Sequence, residues 1–185
     1  LRAMTSDRKK LFIIDGHAHI YAAYYAPMRP LTVPGGEPVK ATYVFTTIVL
    51  GLIEREKPDM LAVAMDSAAP SFRADLYEDY KAHRPPMPED LPGQIRRIEQ
   101  ILAAMHIPVL RVDGFEADDV IGTLAVQAAR ADFDSYICSK DKDMLQLLDA
   151  HTRMYDIKGD KETTAESLLE ATGLRAMNLL SLSAR

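Results

Sequence analysis

Two kinds of hydrophobic spacing alternate along the chain. Continuous apolar runs that end on an acid are separated by segments whose apolar residues recur every three or four positions. Lys9-Lys10-Leu11-Phe12-Ile13-Ile14-Asp15-Gly16 reads as a strand that stops at an acid and a turn glycine. Residues 60–66 repeat that arrangement and end on Asp66. Residues 107–112, 134–139 and 152–156 read as three further strands. Unbroken apolar runs fit parallel strands covered on both faces. Helical spacing predicts helices over 17–25, 39–57, 91–105, from Glu116 to about Arg130, after Lys140-Asp141-Lys142-Asp143-Met144, and over 164–172. A Pro/Gly-rich loop joins the first two helices at 27–38, and no internal repeat is present.

Strands alternating with helices imply right-handed βαβ units, an α/β fold and a mostly parallel sheet. In such sheets sites form beyond the carboxyl ends of the strands. Asp15 and Asp66 end the first two strands; Glu116, Asp118 and Asp119 follow the third; Asp141 and Asp143 follow the fourth. A random scatter of the chain's 27 acids would not favour four successive strand ends. An acidic first turn taken alone is ordinary helix capping. Here seven acids share one predicted edge, and like charges held close together are costly unless protonated or bridged by a cation. The cluster therefore asks for a divalent metal. Carboxylates without Cys or paired His select Mg²⁺ or Mn²⁺ over zinc. Two such ions roughly 3.5–4 Å apart are a common device for phosphodiester hydrolysis.

The segment 71–88 fits neither strand nor long buried helix, being dense in charge, aromatics and proline. Lys81 and Arg84 are its candidates for holding a substrate phosphate. Tyr80 stands beside them as a candidate for stacking on a base.

Composition narrows this picture without changing it. The chain has 185 residues, enough for one α/β domain with a core, and 48% hydrophobic with 26% charged residues is ordinary for a globular protein. No apolar run reaches the roughly 18 residues of a membrane span. Residues 1–10 are polar and lack a secretion-signal pattern, and residues 1–8 are expected to be disordered or tag-like. Cys138 is the single cysteine; within an apolar run it reads as a buried structural thiol, and its solitude points to a reducing compartment. A net charge of −5 argues against simple electrostatic binding of nucleic acid, unless metal ions neutralise the acids. His17-Ala18-His19 could be the zinc pair of an amidohydrolase barrel. That fold needs about 250 residues, and none of the other three histidines ends a strand, so both are assigned to the start of a helix.

Six short pieces, in order over about residues 9–175, carry a family resemblance. They are Ile13-Ile14-Asp15-Gly16-His17, Val63-Ala64-Met65-Asp66, Ser71-Phe72-Arg73, Tyr80-Lys81-Ala82-His83-Arg84-Pro85-Pro86-Met87-Pro88, Gly114-Phe115-Glu116-Ala117-Asp118-Asp119-Val120-Ile121-Gly122-Thr123-Leu124 and Ser139-Lys140-Asp141-Lys142-Asp143-Met144. With them the chain resembles the 5′-nuclease domain of bacterial DNA polymerase I, in the flap-endonuclease group. The resemblance implies a three-layer PIN-like domain with an arch or clamp insertion at about 71–90. It implies a metal-dependent 5′-3′ exonuclease or 5′-flap endonuclease acting on DNA in replication and repair, in the bacterial cytoplasm at the nucleoid. Asp15, Asp66, Glu116 and Asp118 are then expected to bind a first metal, and Asp119, Asp141 and Asp143 to serve a second, directly or through water. Lys81 and Arg84 are expected at the scissile phosphate, Asp118 in catalysis, and Arg73 and Tyr80 on the DNA. Polymerase domains are expected in cis. After a helix like 164–172 the family continues with a further acidic pair and a helix-hairpin-helix element. Residues 176–185 contain neither, and are expected to be a truncated tail. The alternatives are a PIN-type ribonuclease and a DNA-binding fragment without activity.

Overall fold

A six-stranded sheet, ordered β3-β2-β1-β4-β5-β6, organises the structure, a computed structural model that describes residues 8–67, 69 and 86–173. The strands are β1 (Lys9–Asp15), β2 (Met60–Ala64), β3 (Val109–Leu110), β4 (Phe133–Cys138), β5 (Thr152–Asp156) and β6 (Lys161–Thr163). The first five run parallel, and β6 returns antiparallel to β5. The helices are α1 (Gly16–Tyr24), α2 (Lys40–Glu56), α3 (Leu91–Ala104), α4 (Ala117–Arg130) and α5 (Ala165–Thr172).

Alternation along β1 explains its unbroken apolar run. Phe12 and Ile14 enter a core with α1, α2 and α3, whereas Leu11 and Ile13 enter a second core against α4. Successive side chains leave a strand on opposite faces, so a strand between two helical layers must be apolar at every position. The result is the expected three-layer α/β arrangement. Phe12 stacks on Tyr136 of β4, ring centroids 4.5 Å apart, and meets Tyr155 of β5 edge-on at 5.3 Å. Three strands are thereby held in register by one aromatic cluster. In the same helical layer, buried Gln94 of α3 accepts from the Ala41 amide at the start of α2 (2.8 Å) and donates to Asp90. Asp90 in turn accepts from the Tyr24 hydroxyl (2.7 Å), which ties the approach to α3 onto α1.

Three elements differ from the sequence expectation. The third strand shrinks from 107–112 to two residues at the sheet edge. Pro108 has no N–H to offer a ladder, and beyond Leu110 the chain turns outward through Gly114, whose φ of 81° is left-handed. The helix expected after Lys140 is a 3₁₀ turn over Lys142–Leu147. Only Met144 of it is buried, too little apolar face to hold an α-helix. β6 was not anticipated, because Lys161-Glu162-Thr163 has no apolar pattern and is stabilised by its pairing with β5. The predicted arch, including Arg73, Tyr80, Lys81 and Arg84, lies outside the described residues apart from its final stretch at 86–90, and so does the tail at 176–185. Among the described residues no helix is long and apolar enough to cross a membrane.

Candidate active site

The first four parallel strands deliver acids to one edge of the sheet, and a cleft of about 980 Å³ opens there. Asp15, Asp66, Glu116, Asp118 and Asp141 line it, together with Asp113 and Glu99.

Asp15 ends β1 and caps α1, its Oδ1 accepting from the Ala18 amide at 3.1 Å. An aspartate suits that position because its short side chain satisfies an amide the helix leaves open. The other oxygen, Oδ2, accepts from Ser139 Oγ at 2.8 Å. Buried at 6% exposure, the carboxylate therefore has a donor for each oxygen. Gly16 follows because the backbone passes tightly over β2. A β-carbon there would lie 2.8 Å from Val63 Cγ1 and 3.0 Å from the Ala64 carbonyl oxygen.

Asp66 leaves β2 two residues past its end, and its Oδ1 accepts from the Ala117 amide at 2.8 Å. The bond joins the β2 exit to the first turn of α4. The Asp66 amide donates to His17 Nδ1 at 3.1 Å, so this nitrogen is unprotonated and the ring proton sits on Nε2. Burial lowers the His17 pKa against the raising influence of Asp66, and the ring is a neutral wall of the cleft. His19, two residues on, faces inward instead, and its Nε2 donates to the Cys138 carbonyl at 3.1 Å. Burial lowers its pKa too, opposed by Asp15 and reinforced by the charges of Lys140 and Lys158. Both histidines belong to α1, as the sequence indicated. Cys138 is fully buried and its thiol pKa is pushed up by burial, in keeping with a structural role.

Glu116 and Asp119 close the start of α4 as a capping box, Asp119 Oδ2 accepting from the Glu116 amide at 3.1 Å. Buried Glu116 and half-buried Asp118 face the cleft. Asp119 instead borders a separate, largely apolar groove beside Val109, Leu110 and Phe115. Asp118 carries the electrostatic signature of the site. Its pKa is raised to about 6 by burial and then by Asp15, Asp141, Asp66 and Glu116. Four other acids are thus close enough to Asp118 to oppose its ionisation.

Asp141 projects from the β4 exit, its amide donating to Ser139 Oγ (3.1 Å) while its Oδ1 accepts from the Asp143 amide (2.9 Å). Asp143 is exposed and is not among the residues that line the cleft. Five of the seven predicted acids are thus brought together, and Asp119 and Asp143 are placed apart from them. Among the described residues no group of three or more His, Cys, Asp or Glu side chains is gathered tightly enough to hold an ion by itself.

His17, Arg111, Glu99 and Asp113 also line the cleft and Ser139 braces it, although none is among the site residues the sequence points to. All but Glu99 lie within three residues of a strand end, which is the signal that would have found them. Arg111 pairs with Glu99, and Asp113 accepts from Ser67 Oγ at 2.7 Å, so the far wall of the cleft is internally paired.

Comparison with known proteins follows the same lines. The family model described as 5′-3′ exonuclease, N-terminal resolvase-like domain, matches residues 10–173. A DNA polymerase I of Caldicellulosiruptor bescii is 40% identical over 159 residues, 86% of this chain and 19% of the relative. A 5′-3′ exonuclease of Aquifex aeolicus is 36% identical over 171 residues, 92% of this chain and 59% of the relative. The chain spans less than two thirds of either. Among solved structures, the T5 D15 protein co-crystallised with metal ions superposes with a TM-score of 0.72 at 17% identity, covering 95% of this chain and 66% of that one. The bacteriophage T5 D15 flap endonuclease in complex with DNA and metal ions gives 0.69 at 16% identity, covering 95% and 65%. At such identities the likeness establishes the fold, which is the PIN-like one expected from the sequence.

Proposed function

Because the chain belongs to the family of 5′-3′ exonuclease N-terminal resolvase-like domains, we propose that its acidic cleft is the active site of a metal-dependent 5′ nuclease. The proposed substrate is DNA, cut at 5′ flaps or 5′ single strands beside a duplex junction. One observation carries this reading: Asp15, Asp66, Glu116, Asp118 and Asp141 converge on one cleft, and burial, joined by repulsion from the other four, raises Asp118 to about 6.

Hard dications held among these carboxylates would relieve that repulsion. The donor set is all oxygen, which suits Mg²⁺ or Mn²⁺. It is also open, and Mg²⁺ keeps several waters while taking few protein carboxylates, so an open set fits it. When bound, such ions supply an activated water and neutralise charge on the attacked phosphate and the leaving oxygen.

The chain's own groups position this chemistry in advance. Ser139 and the Ala18 amide hold Asp15, the Ala117 amide holds Asp66, and the start of α4 presents Glu116 and Asp118. Fixed acceptors need little reorganisation when charge develops. In this proposal Lys81 and Arg84 contact the scissile phosphate, Arg73 and Tyr80 contact the strand, and Asp119 and Asp143 act at most through water. The likeness to DNA polymerase I supports polymerase domains in cis as the partner.

The test is cleavage of a labelled 5′-flap duplex with Mn²⁺, with Mg²⁺ and with EDTA, beside Asp118→Ala. Cutting that needs the ion and is lost in the variant is the expected result. Cutting in EDTA, or wild-type cutting by Asp118→Ala, would overturn the assignment. Cleavage of single-stranded RNA with the flap left intact would move the substrate to RNA.

A further inference from the structure

A second recess opens from the rim of the cleft. It has a volume of about 260 Å³, and its walls come from the β4 exit, the end of β5 and the edge strand β6. Asp141 lines both cavities, so the two adjoin at that residue. The charge changes sign across it. The recess holds Lys140, Lys142 and Lys161, and Lys158 lies in the hairpin that joins β5 to β6. All four are exposed, and among the described residues none has a side-chain hydrogen bond or ion pair. Arg8, Arg97, Arg111 and Arg153, by contrast, are all paired with acids. Besides Asp141, the acid sharing the recess is Asp156, whose Oδ1 already accepts from the Lys158 amide at 3.0 Å.

Unpaired lysines grouped on the rim of an acidic cleft, in a chain of net charge −5, make a local positive potential that attracts an anion. Strand order supplies its geometry. β2 and β3 border the cleft on one side of β1, and β4, β5 and β6 lie on the other. A polymer that enters beside Asp66 and Ser67 and crosses the carboxylates leaves over Asp141 into the recess. An anion that reaches both cavities is a chain of phosphates rather than a single ion.

We infer that Lys140, Lys142 and Lys161 form a phosphate-contact shelf, which grips the sugar-phosphate backbone of the nucleic acid on the side of the cleft away from Asp66 and Ser67. The inference rests on the nuclease reading of the cleft. The contact is to phosphate and therefore independent of base sequence. It offsets the repulsion that an acidic cleft exerts on DNA.

The experiment measures equilibrium binding of a 5′-flap duplex in Ca²⁺ over a range of salt concentrations, comparing the whole chain with Lys142→Gln/Lys161→Gln. Each phosphate contact contributes about 0.9 to the slope of log affinity against log salt. The double variant should bind several-fold more weakly at about 0.1 M salt, with a slope shallower by roughly 1–2. Lys142→Arg/Lys161→Arg should restore the slope, because it keeps the charge. An unchanged affinity and slope in a folded Gln variant would overturn the shelf, and so would a loss that Arg does not restore. Wild-type flap cleavage in Mn²⁺ is read in parallel. Its absence would sink the nuclease reading while the binding comparison still reports on the lysines.

Discussion

Ser139 Oγ donates to Asp15 Oδ2 at 2.8 Å, one residue beyond the last paired position of two adjacent parallel strands. Ile14 is in register with Cys138, so the next residue of each strand must meet its counterpart at the edge of the sheet. The same hydroxyl accepts from the Asp141 amide at 3.1 Å. One serine therefore sets two of the cleft's acids relative to each other.

Ser139→Ala removes a donor from a buried carboxylate and leaves Asp15 with the Ala18 amide. Stability should fall by about 1–3 kcal/mol, the usual range for a buried polar group left unsatisfied. Urea unfolding midpoints would measure it. The half-maximal metal concentration for cleavage should rise as Asp15 loses its fixed orientation. An unchanged midpoint and metal requirement would mean that the serine is incidental.

Asp118 predicts a pH effect of definite sign. Its folded pKa is about 6, above the value of 3.8 for an unperturbed group. The folded state thus holds this proton more tightly than the unfolded chain. Its contribution to stability is present below the unfolded value and is lost as pH rises through about 6. Two units correspond to about 3 kcal/mol at full strength. Screening at a half-buried site reduces this to about 1–2 kcal/mol. In EDTA, Asp118→Asn should match the parent near pH 4 and exceed its stability by about that amount at neutral pH. Denaturation midpoints across this range would show it, and a gap that did not change with pH would rule out repulsion as its cause. With metal present, protons compete with the ion for the same carboxylate, and cleavage should weaken toward acid pH.

Asp119→Ala separates capping from ligation. Loss of the bond to the Glu116 amide should cost about 1 kcal/mol, as loss of a cap does. The metal concentration for half-maximal cleavage should stay near the parent value, whereas Asp118→Ala loses cleavage. A large rise in that concentration would make Asp119 a ligand in its own right.

The sequence by itself determined the layers and the edge that carries the site. The apolar run of β1 is two alternating faces, Leu11 and Ile13 against Phe12 and Ile14, and that demand for cover on both sides is local and readable. An acid at the end of each parallel strand is equally readable, and Asp15 and Asp66 stand where that rule puts them. Only the tertiary structure decided between neighbours. Asp118 and Asp119 are adjacent in the chain and about 100° apart around a helix. The packing of α4 turns one into the cleft and leaves the other to close its capping box. The brief β3, the 3₁₀ turn after Asp141 and the β6 edge likewise depend on what lies beside them rather than on their own pattern. The parts taken by His17 and Ser139 come from register and strand order, because each meets its partner across more than forty residues of chain. Local spacing can say which way a side chain points from its own backbone. It cannot say which other backbone will be there to meet it.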